Sequence, residues 1–502
     1  MSGTTLSTAS IQPRRNLTLW GALGLSLGIV GPSLAMSGNG QGTAAAIGKS
    51  VPLIFVLAAI GVMFIAHGFV RLTQRFNQAG SAYALVGKTL GPRAGFFAGW
   101  GVMVTYLFFA IGNVGAIGSF VNAFVANAQG NPMHPFRIPW LLSGGVGLVL
   151  ATMLATREFK NVVRTLLIIE GVGVASMTIL CVVIFAKGGN VGHGGIDFST
   201  FSFKGHNFTA IMGVVVGAFL SWGGFEGAAA LGEETNNPSR NIPKALLTTV
   251  IGASVLFVVV MFAQTIGFGT DAAGVKAFST SGNTLAQLGH QYVGLWFSLV
   301  LSFTAIMSSF GCLLGSSGTT GRLLFAAARD GVGPKSWGHL DRRGEPIKAL
   351  FFVVAFTAVV AIVAFVSGHP VVGTGDPALD MYFYFSTIGI IALMVAYAMV
   401  ELGAIKHLLT ERKEKAWESI IAVVGLGFIF FVFYFNVKAQ VTWVGAPFIA
   451  FGLVTVGLII VLLYPEISSK ISNGLNRDLG EPSGKELSAS SGVGRPPFGT
   501  DI

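Results

Sequence analysis

Two carboxylates stand where a carboxylate is costly. Glu226, in SWGGFEGAAALG, and Glu170, in RTLLIIEGVGVAS, each lie near the middle of a long apolar run. A charge at the centre of a membrane-spanning helix costs at least about 2.5 kcal/mol, so such groups face a protein interior and hold a proton, an ion or a gate. The other ionisable residues within apolar runs are peripheral. His67 reads as a packed or interfacial histidine, and Glu401 as a side chain that snorkels to the near surface. The eight histidines are scattered, without HxxxH spacing, and the two cysteines, Cys181 and Cys312, lie in apolar runs where a small core hydrophobe fits best. No metal set, nucleophile or disulfide framework emerges. GPRAGFFAGWG lacks the preceding strand that a phosphate-binding loop needs. An embedded enzyme is therefore not expected, and no cofactor is implied.

These groups need elements to place them. Of 502 residues 52% are hydrophobic and 10% charged, against roughly 25% charged in a soluble domain. So few charges cannot cover a globular surface, and much of the exterior must face lipid. Runs of about 20 apolar residues, enough to cross roughly 30 Å of hydrocarbon as helix, recur at 17–46, 52–70, 95–127, 138–155, 163–186, 208–232, 245–268, 291–321, 348–367, 381–405, 417–435 and 442–464, twelve in all. The N-terminal stretch shows no cleavable apolar signal segment. If the spans alternate from a cytoplasmic N-terminus, 25 of the 31 Lys and Arg fall on the inner side and 6 on the outer, a strong positive-inside bias. That distribution explains the net charge of +10 without nucleic acid. The expected fold is an all-α integral membrane protein of the cell membrane with both termini cytoplasmic. Residues 1–16 form a cytoplasmic segment and 467–502, rich in Gly, Ser and Pro, a disordered cytoplasmic tail. In the inner segment 321–348, LLFAAARDG reads as a short helix near the membrane surface, stopped at Gly331 and Pro334.

Two of the spans carry their own interruption. The first contains GLSLGIVGPSLAMSGNG, with Gly28, Gly31 and Pro32; the sixth contains SWGGFEG, with Gly223, Gly224 and Gly227. They lie five spans apart, so they cross the membrane in opposite directions. That is the trace of two inverted five-helix repeats, here 17–186 and 208–405, with two further helices in 417–464. An unwound turn survives in hydrocarbon only where it lines a protein-enclosed cavity. Its free amides attract anions and its free carbonyls cations; a zwitterion suits both.

The run GFEGAAALGEETNNPSRNIPKAL resembles the sixth helix and following loop of the amino acid–polyamine–organocation (APC) permeases. GSAYALVGKTLGPRAGFFAGW resembles the family's inner loop entering helix three, and GRLLFAAARDGVGPKSWGHLDRRGEPIKA its loop between helices eight and nine. The resemblance covers about residues 15–465 and is most specific in these inner loops. It implies secondary transport of an amino acid, or in some members a polyamine, by alternating access through helices one and six, both broken. Carried onto this chain, the substrate's carboxylate and ammonium meet the backbone at Gly28, Ile29, Val30, Gly31, Pro32 and Ser33, and at Ser221, Trp222, Gly223, Gly224, Phe225 and Glu226. Trp222 and Phe225 would cap its side chain, and depth alone adds Asn113, Tyr382 and Phe383. With no acidic cluster beyond Glu226, a neutral or small polar amino acid is preferred; amino acid/amine exchange and polyamine transport are the alternatives. A channel or receptor would show a filter loop or a sensing domain, and neither is present.

Coupling departs from the family pattern. Some proton-coupled relatives carry a lysine on helix five, in the space that sodium fills in sodium-coupled members of the fold; here that region holds Glu170. Proton carriage by Glu170 or Glu226 is preferred, with sodium ligation by Glu170, Ser308 and Ser309, or exchange without an ion gradient, as alternatives. At the inner face Glu233, Glu234 and Arg240, beside Arg71, Arg75, Arg322 and Arg329, are the expected gate.

Overall fold

An α-helix satisfies its own backbone donors and acceptors, which is what so apolar a chain requires in lipid. The computed structural model describes residues 18–76, 81–129, 137–156, 159–205, 207–231, 235–329, 331–341, 345–411, 413–439 and 445–464. Every regular element among the described residues is helical. The first predicted span is cut into α1 (Leu19–Val30), α2 (Pro32–Gly38) and α3 (Gly40–Ile47), followed by α4 (Val51–Thr73). Next come α5 (Ser81–Leu90), α6 (Pro92–Gln129), α7 (Trp140–Ala155) and α8 (Phe159–Ala186). The second interruption follows α9 (Phe208–Phe219): two 3-10 segments, Leu220–Trp222 and Phe225–Leu231, lead to α10 (Pro238–Phe268). Short α11 (Ala272–Ser279) and α12 (Thr284–Tyr292) precede α13 (Leu295–Arg329), α14 (Ile347–Ser367), α15 (Pro377–Thr410), α16 (Ser419–Ala439) and α17 (Ala446–Leu463).

Among the described residues, ten helical stretches are long and apolar enough to cross a membrane, so the chain is a multi-pass membrane protein. The remaining two predicted runs form shorter apolar helices, Trp140–Ala155 and Phe208–Trp222. In one place the helices differ from expectation. Within LLFAAARDG, the residues LLFAAAR, Leu323–Arg329, are not a separate surface helix but the last turns of α13, because no breaker intervenes before Gly331, where φ is +85°. The inner loop before span three also contains a helix of its own, α5.

Close packing rests on small residues, as is usual between membrane helices. Gly101, Gly112 and Gly115 of α6 let its backbone approach that of α15, so these two helices run together along the middle of the molecule. The Trp100 indole Nε1 donates to Leu453 O of α17 at 2.9 Å, which docks the last helix on α6.

At the end carrying fewer cations, Lys49 Nζ binds Asp197 Oδ2 at 2.7 Å and Ser199 Oγ at 2.8 Å, clasping two loops. The hydrogen bond from Lys49, then that from Ser199, lowers the Asp197 pKa to about 2. A depressed carboxyl pKa contributes stability above its unfolded value, near 3.9, and that contribution is lost as pH falls towards about 2. Lys49 is 38% exposed, so screening limits the pair to about 1 kcal/mol at most. Asp197→Asn should therefore lower thermal stability in detergent slightly at neutral pH, and the difference from wild type should vanish in strong acid.

Candidate functional site

The first break is a single left-handed residue. Gly31 has φ +58°, closes α1 through its N–H to Leu27 O at 3.0 Å and starts α2, with Pro32 in the first turn. A Cβ on Gly31 would lie 2.7 Å from Cys312 Sγ, so both conformation and space require glycine. The amides of this new helix start are already engaged. Pro32 has none, Ser33 N donates to Glu170 Oε1 at 2.6 Å, Leu34 N to Ser308 Oγ at 3.2 Å, and Ala35 N to Gly31 O at 2.9 Å. Ser308 also lies within hydrogen-bonding reach of Glu170. The sequence's grouping of Glu170 with Ser308 is thus realised at the first break. Ser309 is elsewhere engaged, its hydroxyl donating to Ala305 O at 2.9 Å.

The second break packs directly against the first. Gly224 has φ +100°, and a Cβ there would overlap Ile29 Cγ2; a Cβ on Gly227 would lie 2.6 Å from Ile29 Cδ1. Ser26 of α1 stitches the unwound segment from both sides, donating to Phe225 O at 3.2 Å and accepting from Ala228 N at 2.9 Å. Above it, Ser221 Oγ accepts from Asn39 Nδ2 at 2.9 Å, and Asn39 Oδ1 accepts from the Tyr382 hydroxyl at 3.0 Å. The far end of α2 is held by Gln264 Nε2, which donates to Met36 O at 2.8 Å, and by the Thr284 hydroxyl, 3.1 Å from both Met36 O and Ser37 O.

Glu226 is clamped. Its Oε1 accepts from the Tyr106 hydroxyl of α6 at 2.9 Å and its Oε2 from that of Tyr397 in α15 at 2.5 Å, with the residue only 2% exposed. Phe225 packs on Phe69 and Tyr397, with ring centroids 5.5 and 5.3 Å apart. Trp222 is fully buried between Phe55 and Phe257, with Nε1 on Ser254 Oγ at 3.2 Å. Both aromatic side chains are held in packing contacts with α4 and its neighbours. Asn113 donates to Phe109 O at 2.8 Å, and its Oδ1 is a buried acceptor without a donor, as are Gln41 Oε1 and Gln264 Oε1. Phe383 rests against Tyr382, ring centroids 5.2 Å apart.

A polar cavity of about 420 Å³ opens beside this region, lined by Ser119, Asn122, Arg137, Ser281, Asn283 and Asp376 among others. It adjoins α3 through Ser281, whose backbone O accepts from Gln41 Nε2 at 2.5 Å. At the opposite end Glu233 and Glu234 lie outside the described residues, and Arg240 is exposed on the first turn of α10. Arg71 pairs with Glu418 at the foot of α16, Nε to Oε2 at 2.5 Å, with His67 3.6 Å from the same carboxylate, and Arg322 Nη2 is 3.7 Å from Glu345. Glu401 does not snorkel: its side chain is completely buried, because α4 closes over this face of α15 and brings Gly68 against the carboxyl.

Sequence reasoning missed Ser26, Asn39, Tyr106, Gln264, Thr284 and Tyr397. The available signal is polar side chains inside apolar runs, of which the sequence reading takes up only some, Asn113, Ser308, Ser309 and Tyr382 among them.

The amino acid permease family model matches residues 20–375. The chain is 25% identical over 365 residues to the low-affinity putrescine importer PlaP of Escherichia coli, covering 71% of this chain and 76% of that protein. It is 27% identical over 364 residues to the branched-chain amino acid permease BcaP of Lactococcus lactis, covering 69% and 74%. It is 22% identical over 410 residues to the aromatic amino acid transport protein AroP of Escherichia coli, covering 81% and 82%. With two glycine-broken helices interlocked inside a bundle of apolar spans and a family match over most of its length, the chain belongs to the amino acid permease family of APC membrane transporters.

Proposed function

We propose that the chain is a secondary transporter that carries a neutral or small polar amino acid across the cell membrane by alternating access, coupled to protons. The observation that carries this reading is the contest at the first break. Pro32 offers no N–H, and those of Ser33 and Leu34 are held by Glu170 and Ser308. A substrate carboxylate gains the Ser33 amide only when Glu170 withdraws, and a proton on Glu170 removes the charge that keeps it there. Substrate and proton then bind together, which is symport. The substrate's ammonium meets the carbonyls freed around Ser221–Gly223, and the polar cavity beside Ser281 is its route from outside. Helices 17–186 and 208–405 move as two inverted repeats about this point. The Tyr106–Glu226–Tyr397 clamp shuts the inner path, and Glu233, Glu234 and Arg240 act in the same gate.

One set of observations favours a second reading. Gln41, Asn113 and Gln264 each present a buried amide oxygen without a donor, and each amide nitrogen is committed to a carbonyl, so the oxygens cannot be exchanged for donors by a flip. Such acceptors suit a diamine that carries no carboxylate and leaves Glu170 in place. Radiolabelled leucine, serine and putrescine, offered to proteoliposomes under imposed proton or sodium gradients, separate the readings. The symport reading expects accumulation of an amino acid driven by outside acid, and loss of that pH dependence with retained exchange in Glu170→Gln. Uptake of putrescine alone, indifferent to that substitution, selects the second. Failure to move any amino acid or amine overturns both.

A further inference from the structure

Glu401 takes no part in the site described above, yet it is the least compensated ionisable group in the molecule's described core. It is 0% exposed, and neither carboxyl oxygen meets a side-chain or free backbone donor. The main chain of Gly68 in α4 lies against it, but that N–H serves its own helix. Ionisable groups on the adjoining elements are engaged elsewhere or lie apart. His67 and Arg71 of α4 meet Glu418 at the foot of α16. Lys406 of α15 itself donates to Thr89 O of α5 at 2.7 Å, and His407 pairs with Glu411 at 3.1 Å. Among the described residues, neither Lys88 of α5 nor Arg93 of α6 hydrogen-bonds the Glu401 carboxyl. An ionised carboxylate in this position would have nothing to replace its water.

Its position ties it to the gate. Tyr397, which holds Glu226 Oε2, is one turn earlier on the same face of α15. Phe69, next to Gly68, packs edge-on against Tyr397, with ring centroids 5.3 Å apart, and against Phe225 of the second break. Carboxyl, tyrosine and broken segment share one wall between α4 and α15.

We propose that Glu401 is a proton-binding site that locks the inner gate. With a proton on the carboxyl, the neutral group fits against Gly68 and the gate stays shut. Loss of that proton to water on the inner side leaves a carboxylate that needs solvent, and solvent reaches it when α15 parts from α4. That movement draws Tyr397 away from Glu226. Proton binding and closure therefore favour each other reciprocally. The inference rests on the inner-gate part of the function proposed above; it is separate from the Glu170 contest, which concerns substrate.

The experiment has two arms. In inside-out vesicles, a cysteine introduced as Ala229→Cys is labelled with an impermeant maleimide, at rates normalised to the denatured protein at the same pH. Labelling should accelerate as the inner side becomes alkaline, and Glu401→Gln, a neutral isostere, should lose that pH dependence and label slowly throughout. In wild-type protein, dicyclohexylcarbodiimide, which attacks protonated buried carboxyls, should modify the Glu401 peptide in acid and progressively less in alkali, read by mass spectrometry. Labelling that stays pH-dependent in Glu401→Gln, or a Glu401 peptide that reacts at no pH or equally at all, overturns the proposal. If Glu401→Gln does not fold, the carbodiimide arm decides alone. If Tyr397→Phe leaves Ala229→Cys labelling unchanged, the gate reading fails, and the carbodiimide arm still decides whether Glu401 binds a proton.

Discussion

In the proposed orientation, Tyr397→Phe should open the inner side of the transporter: a cysteine placed beneath the second break should be labelled from the cytoplasmic face roughly 10- to 150-fold more readily than in wild type, the equivalent of losing one hydrogen bond to a charged group, about 1.5–3 kcal/mol. The cause is local. Glu226 sits on the unwound segment, and its two oxygens reach Tyr106 on α6 and Tyr397 on α15. These contacts fasten an irregular backbone segment to two of the longest helices of the bundle, and every participant is buried. Removing the Tyr397 hydroxyl deletes the shorter bond at 2.5 Å and leaves the ring contacts with Phe69 and Phe225 in place. Tyr106→Phe should act in the same direction more weakly, and the double substitution should fall short of the sum, because both bonds share one carboxyl. Glu226→Leu should be more severe than either, since it orphans two buried hydroxyls. Unchanged labelling in Tyr397→Phe would refute the clamp as a gate.

How far the site is legible in the sequence depends on the kind of information each part needs. Spans are legible because apolar length is a property of the chain alone, and the two that came out short, 140–155 and 208–222, are those whose ends run into loops or a break. The breaks are legible because Gly31 and Gly224 announce a left-handed conformation that other residues avoid, and Pro32 marks a helix start. What closes the breaks is not. Ser26 and Phe225, or Tyr397 and Glu226, are 199 and 171 positions apart, and a serine or tyrosine in an apolar run does not name its partner. Glu170 and Ser308 can be paired from sequence because both lie at one depth with few rivals. The capping role of Trp222 and Phe225 comes from the resemblance alone; both rings pack against neighbouring side chains, Trp222 from a three-residue 3-10 turn whose rotation a helical period does not give. Glu401 is misplaced for a related reason. Proximity to a span's end suggests water, whereas what covers that end is another helix.

Adjacent glycines supply the sharpest remaining test, because Gly223→Ala and Gly224→Ala look alike in sequence and should differ greatly in effect. Gly224 has φ +100°, where a side chain is strained whatever the space; holding an ordinary residue in such a region costs about 1–3 kcal/mol. A methyl there would also overlap Ile29 Cγ2, the point at which the two breaks touch, and overpacking adds about 1–3 kcal/mol. The combined penalty, about 2–6 kcal/mol, falls on the contact that the proposed alternating access makes and unmakes, so uptake in proteoliposomes should drop by roughly 30-fold or more. Gly223 has φ −56°, and its methyl would meet the edge of the Phe109 ring at 3.1 Å and Ile390 Cδ1 at 3.3 Å, contacts that side-chain shifts of a few tenths of an ångström relieve; Gly223→Ala should retain most of the activity. Trimming the opposing side chain distinguishes strain from overlap. Gly224→Ala combined with Ile29→Ala should regain part of the lost uptake, because space is restored while the backbone conformation remains unfavourable. Full recovery would mean that φ at Gly224 is unimportant, and equal activity of the two single glycine variants would mean that the second break is not built on Gly224.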